Sequence, residues 1–76
     1  MNRERRKALQ EILDRLDDIR SDLYSIQEEE EEYRDNMPEN LQGSERYEKA
    51  DCAVSSLDDA YNAFDEIVYA IEEAME

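Results

Sequence analysis

Hydrophobic residues recur along the second half of the chain at alternating steps of three and four positions. The positions are Tyr47, Ala50, Val54, Leu57, Tyr61, Phe64, Val68, Ile71 and Met75. This spacing is the heptad repeat of a coiled-coil helix, in which one narrow apolar stripe faces a neighbouring helix. The second half is therefore predicted to form a long helix with one buried side.

The first half of the chain carries a stripe with the same alternation. Its positions are Leu9, Ile12, Leu16, Ile19, Leu23, Ile26, Glu30, Tyr33 and Met37. If two such helices fold back on each other, opposed residues have a constant sum of residue numbers, and pairs such as Leu23 with Leu57 all add up to 80. The predicted fold is all-α: one domain consisting of an antiparallel two-helix coiled-coil hairpin.

Turn-forming residues interrupt the pattern once, between the two stripes. Because Pro38 disfavours helical geometry in the residue before it, helix 1 is predicted to cover about residues 3–35. The loop is predicted to cover about 36–43, with one short turn after Pro38. Ser44 is a suitable N-cap for helix 2, which is predicted to cover about 44–75.

Helix 2 presents two different outer sides beside its stripe. One side is acidic, and the other is an almost uncharged seam. The seam consists of Ala53, Ser56, Ala60, Ala63, Ile67, Ala70 and Ala74. Because a lone hairpin of 76 residues has a small core and small residues let helices approach closely, we expect a homodimer that forms a four-helix bundle through this seam.

Three alternatives remain open at this point. The seam is also explained by the high helix propensity of alanine, or by a foreign helix that docks there. The two helices of one chain can also open into a longer swapped dimer, because the same stripes serve either arrangement.

Charge is the strongest feature of the composition. The chain has 23 acidic residues, 9 basic residues and no histidine, which gives a net charge of -14. Such a surface repels nucleic acid and anionic lipid and attracts basic proteins. No apolar run has the length of a membrane span or a signal core, so we expect a cytoplasmic protein with an electropositive protein partner and no direct contact with nucleic acid or membrane.

The outward-facing carboxylates of both helices form the candidate partner-binding surface. They are Asp14, Asp18, Glu28, Glu29, Glu31, Glu32, Asp58, Asp59, Asp65, Glu66, Glu72 and Glu73. Two helices of this length carry roughly one acid per 2 Å, which is similar to the one phosphate per about 1.7 Å of duplex DNA. This similarity favours a protein that imitates nucleic acid and inhibits a basic nucleic-acid-binding protein such as a nuclease. The alternative is a structural or assembly coiled coil that acts through the alanine-rich seam.

Catalytic and metal-binding chemistry has few candidates in this sequence. It lacks histidine, a glycine-rich phosphate loop and paired carboxylates in an evident cleft, so we expect no enzyme, no cofactor and no metal site. The single Cys52 is expected on the outer side of helix 2 as an unreactive thiol among acidic neighbours. Four bases near the N-terminus are expected beside the acidic C-terminus, with a tail for nucleic acid or lipid as the alternative. They are Arg3, Arg5, Arg6 and Lys7.

The loop and the start of helix 2 resemble a group of phage proteins. The stretch Asn36-Met37-Pro38-Glu39-Asn40-Leu41-Gln42, followed by Ser44-Glu45-Arg46, is similar to small acidic helical-hairpin proteins of phages and mobile elements of Gram-positive bacteria. The resemblance is confined to about residues 35–51 and implies no active-site residues. It implies a setting in the host cytosol, where small acidic phage proteins block host defence nucleases, some as DNA mimics, as anti-CRISPR proteins do.

Overall fold

The computed structural model describes all 76 residues as two long helices in a hairpin, with no strand. Helix α1 spans Arg3–Asp35, a short 3₁₀ turn spans Glu39–Leu41, and helix α2 spans Glu45–Met75. The hairpin extends over 59 × 16 × 11 Å along its principal axes. The helix bounds agree to within one residue with those expected from the sequence. Neither helix combines the length and hydrophobicity that a membrane span requires.

Local hydrogen bonds explain where the helices begin and end. The side-chain oxygen of Asn2 accepts from the backbone N–H three residues later at 2.8 Å, and that of Ser44 does the same at 3.3 Å. Each therefore caps the N-terminus of a helix. Pro38 has extended backbone beyond the end of α1, and its carbonyl accepts from the N–H of Leu41 at 2.8 Å. This bond closes the predicted short turn.

The predicted stripe of α2 faces α1 along its whole length. All nine of its positions are buried or half-buried. Ala50 and Val54 retain only 2% and 9% of their accessible surface. The heptad interpretation of helix 2 is confirmed.

Helix α1, in contrast, is rolled about its axis relative to the prediction. Every seventh position of its stripe, from Leu9 to Met37, is buried or half-buried as expected. The other four positions, Ile12, Ile19, Ile26 and Tyr33, are 38%, 53%, 55% and 49% exposed. The residues that face α2 in their place are each one position later, namely Leu13, Arg20, Gln27 and Arg34. The prediction that Ile12, Ile19, Ile26 and Tyr33 pack against helix 2 is therefore wrong.

Three polar side chains that cross from α1 to α2 account for this roll. They make the contacts Arg20 to Asp65 at 2.8 Å, Gln27 to Asp58 at 3.3 Å and Arg34 to Asp51 at 2.9 Å. Long polar side chains cover an apolar stripe with their methylene groups while their ends reach a polar partner. A pattern that counts only apolar residues does not register them, although they occupy three of the nine positions opposite α2.

The contacts across the hairpin have a constant sum of residue numbers. The three polar contacts each add up to 85, as does the contact between the rings of Tyr24 and Tyr61, whose centroids are 5.4 Å apart. Helical side chains lean toward the N-terminus of their own helix. Two long side chains whose tips touch therefore have residue numbers that add up to more than those of two residues whose backbones lie at the same height along the rod. Leu16 and Phe64, which add up to 80, line one hollow. The backbone alignment with sums of 80 stays a prediction.

Gln27 provides a test of the roll of α1. It is the buried polar residue of the hairpin, at 8% exposure, and its carbonyl oxygen has no hydrogen-bond partner. We expect Gln27→Leu to raise the free energy of unfolding by about 1 kcal/mol, because it removes an unpaired buried oxygen and adds apolar contact with α2. Urea unfolding followed by circular dichroism measures this change. The control Ser55→Leu, at an exposed position of α2, should stay within about 0.5 kcal/mol. A less stable Gln27→Leu chain would contradict the expectation.

Candidate interaction surfaces

The hairpin has two broad faces, one on each side of the line along which the helices meet. In a helix, the residues three and four positions after a buried residue lie on opposite sides of it. Arg20, Gln27 and Arg34 therefore define one face, together with their partners on α2, and we call it the ion-paired face. The opposite one, the isoleucine face, has the following residues on α1 and then on α2: Ile12, Ile19, Ile26 and Tyr33, and Ala53, Ala60, Ile67 and Ala74.

An aromatic and ionic cluster occupies the middle of the ion-paired face. The guanidinium of Arg20 lies 4.3 Å from the centroid of the Tyr61 ring while it contacts Asp65. Tyr24 packs on the same ring at an interplanar angle of 49°. The interaction of the Tyr24 hydroxyl with the carboxylate of Glu28 raises the pKa of Tyr24 above its usual value. The cluster thus joins both helices at the centre of an acidic surface.

The structure places all twelve predicted partner-binding carboxylates at exposed positions, but it does not bring them onto one face. Six lie on the ion-paired side, namely Asp14, Glu28, Glu31, Asp58, Asp65 and Glu72. The remaining six lie elsewhere. Glu29 and Glu32 line a hollow with Tyr33 and Arg46 on the isoleucine side. Helix geometry turns Asp18 to the outer side of α1, and Asp59, Glu66 and Glu73 to the outer side of α2.

Several of the six carboxylates on the ion-paired side already have partners within the chain. Asp58 accepts from Gln27 and, at 3.4 Å, from Asn62, and Asp65 pairs with Arg20. Asp14 accepts from Gln10 at 3.2 Å, and Glu31 lies 4.0 Å from Arg34. The side chains of three carboxylates on the outer part of α2 have neither a hydrogen bond nor an ion pair. These three, Asp59, Glu66 and Glu73, are the ones most available to a partner.

Sequence reasoning missed two kinds of surface residue. Tyr24 and Tyr69 are 46% and 64% exposed among the carboxylates, and the only signal for them is that each is an aromatic residue outside a heptad stripe. The isoleucines of α1 form a stripe in the sequence, and the heptad pattern predicts them in the core. Together with the alanine-rich seam, of which only Ala53 is half-buried and the rest is exposed, they widen the uncharged surface across both helices.

Reactive or metal-binding groups are not assembled on either face. Cys52 is exposed and unpaired, and no group of three or more acidic or cysteine side chains is arranged to hold a metal ion. The N-terminal bases also differ from expectation. None of the five ion pairs of the chain involves them, so they do not pair directly with the acidic C-terminus.

Comparison with protein families, curated protein sequences and solved structures gives no match to this chain. Its class is therefore defined by its own fold and surfaces. It is an α-helical hairpin with one acidic, ion-paired face and one apolar face.

The pKa of Tyr24 should depend on Glu28. We expect Glu28→Gln to lower this pKa, because the negative hydrogen-bond acceptor that disfavours tyrosinate is removed. Since folding raises the pKa, the neutral side chain stabilises the fold below the ordinary value of 10.0, and this contribution is lost as the pH rises through the folded-state pKa. Ultraviolet absorbance titration of tyrosinate, with Tyr24→Phe to assign the transition, measures the shift.

A matched control for this titration is Glu32→Gln, which removes one charge of the same glutamate run on the other side of α1. It should leave the Tyr24 transition in place. An unchanged transition in Glu28→Gln would show that Glu28 does not hold the tyrosine in its neutral form.

Proposed function

We propose that the protein is a non-enzymatic acidic interaction protein that binds a basic nucleic-acid-binding protein in place of nucleic acid, and thereby inhibits it. The observation that supports this most directly is the row of six exposed carboxylates on one side of a 59 Å rod, continued by Asp59, Glu66 and Glu73 on the adjoining outer side of α2. With a net charge of -14, this side attracts basic surfaces at long range and enters the same clefts that attract phosphate.

The shape and the aromatic residues of the rod also support the proposal. Two packed helices are roughly 20 Å wide with their side chains, so the rod is narrow enough for a groove that accepts a nucleic acid. Tyr24 and Tyr69 stand exposed among the carboxylates. Tyrosine contributes strongly to protein interfaces because its ring supplies contact area and its hydroxyl a hydrogen bond.

The resemblance of the loop region to small acidic phage proteins directs the proposal toward a particular target. A host defence nuclease, bound in the host cytosol in the manner of an anti-CRISPR inhibitor, has the basic groove that such a rod requires. The rod competes there with the nucleic acid and takes no part in bond cleavage.

We propose further that the two helices of the hairpin run antiparallel. The order of the polar contacts supports this orientation, because the partner on α2 moves from Asp51 to Asp65 as the residue on α1 moves from Arg34 back to Arg20. In this orientation the carboxylates of both helices form one continuous acidic surface along the rod.

Charge reversal tests the proposed binding. We expect a chain with Asp59→Lys, Glu66→Lys and Glu73→Lys to lose at least about tenfold in affinity for a basic nuclease, or ~1.4 kcal/mol. These side chains have no partners within the hairpin, so its helicity should persist. The nuclease is first identified among host proteins that an immobilised chain retains at low salt and releases at high salt, and displacement of duplex DNA from it is then measured.

The matched control reverses three charges on the outer and isoleucine sides of α1, with Asp18→Lys, Glu29→Lys and Glu32→Lys. It changes the net charge by the same amount, so it should keep most of the affinity. Equal losses in the two variants would mean that only net charge matters, and no loss in either would contradict acidic mimicry.

A second candidate function is that of a structural or assembly module. Here the chain forms a homodimer, a four-helix bundle, through the alanine-rich seam of α2. Two observations favour it: six of the seven seam residues are exposed, and no side chain of the hairpin is fully buried. A helix pair that buries so little gains stability when a second pair covers it.

A charge in the seam tests the dimer. The chain should have the mass of a dimer by light scattering, and Ala60→Glu or Ala63→Glu should convert it to a monomer with a lower melting temperature, because each places a carboxylate between helices. Asn62→Glu, at an exposed position between these two on the other side of α2, is the control and should remain a dimer. A dimeric Ala60→Glu chain would exclude assembly through the seam.

A further inference from the structure

We infer that a second copy of this chain packs on the isoleucine face, with α1 of each copy lying over α2 of the other and both loops at the same end. This inference rests on the proposed dimer. It moves the centre of the contact from the outer seam of α2 to the face that both helices share.

The accessible surface of the hairpin exceeds that of a compact monomer by an area that a second copy could bury. The chain exposes 5937 Å², whereas a compact monomer of its mass, 9.0 kDa, exposes about 4,900 Å². The excess, about 1,000 Å², compares with the ~800 Å² that each partner buries in a stable interface. One broad face of the rod, 59 Å long and 16 Å wide, provides an area of this order.

The two faces differ in a way that selects which of them meets the second copy. The isoleucine face carries five large apolar side chains that are about half exposed, namely Ile12, Ile19, Ile26, Tyr33 and Ile67. A contact through the ion-paired faces would press carboxylates against carboxylates. Packing through the isoleucine faces covers the apolar side chains and keeps the two acidic surfaces on opposite outer sides.

The sizes of the side chains select the arrangement of the two copies. On this face Ile19 lies level with Ala60 and Ile26 with Ala53, since both pairs add up to 79, as do Tyr33 and Arg46, which line one hollow. With α1 over the partner's α2, each of these isoleucines meets an alanine of the partner. With α1 over the partner's α1, isoleucine would meet isoleucine and alanine would meet alanine, which leaves voids between the α2 helices.

Charges at the margin of the face agree with this arrangement. The outer margin of α1 near the loop is acidic and includes Glu29, whereas the outer margin of α2 at the same level carries Lys49. When α1 lies over the partner's α2, Glu29 comes beside the partner's Lys49.

Disulfide cross-linking tests the arrangement in the full chain. Two chains that both carry Cys52→Ser, one with Ile26→Cys and the other with Ala53→Cys, are refolded together and oxidised, and only one of them carries an affinity tag. We expect a covalent dimer of one tagged and one untagged chain. Ile19→Cys in the same Cys52→Ser background should give no covalent dimer, although it lies near the middle of the rod and would cross-link if α1 lay over the partner's α1.

Light scattering before oxidation separates failure of this inference from failure of the proposals it rests on. Ile19→Glu with Ile26→Glu should halve the mass, while Tyr69→Glu, which alters a large exposed side chain on the other face, should keep it. A dimer that cross-links through Ile19→Cys and not through the mixed pair overturns the inference and leaves the dimer standing. A monomeric parent chain overturns both the inference and the dimer. Binding to the nuclease is measured separately, and neither of these outcomes bears on it.

Discussion

The surfaces of this protein depend on the polar side chains that cross between its helices. The leucines at every seventh position of α1 face α2 under either of two rolls, and the roll that is not observed would bury the isoleucines as well. The contacts of Arg20, Gln27 and Arg34 with carboxylates of α2 occur at the same seven-residue spacing and act together. Single exposed ion pairs contribute little to stability, but here two ion pairs and a hydrogen bond lie in register along one face. The observed roll turns the isoleucines outward on the opposite face.

The separation of charge from apolar surface follows from this roll. Polar groups that pair across one face leave the unpaired carboxylates around them, while the other face carries isoleucine and alanine. A chain with a net charge of -14 opposes its own compaction, and the hairpin has no fully buried side chain. Its stability is therefore limited on its own, and the apolar face is the place where additional burial is possible without bringing carboxylates together.

The helices and their ends were predictable from the sequence, because each depends on local rules. Pro38 ends α1, Ser44 caps α2, and the stripe of α2 has only one interpretation. The roll of α1 was not predictable from a count of apolar residues, since Ile26 satisfies that count better than Gln27 does. What decides between them is the carboxylate opposite, Asp58, which becomes a partner only once the helices are aligned. The exposure of the predicted carboxylates was correct for the same local reasons, while their division between two sides depended on the roll.

The hairpin also has unequal ends, and this gives the rod an electric dipole. Residues 20–60, the half with the loop, hold 13 acids and 4 bases, a charge of -9, whereas the half with the termini holds 10 acids and 5 bases, a charge of -5. A positive surface therefore pulls more strongly on the loop end, and a diffusing rod turns that end toward it before contact. Two copies with their loops together would add their dipoles, so that the assembly would approach such a surface in one preferred orientation.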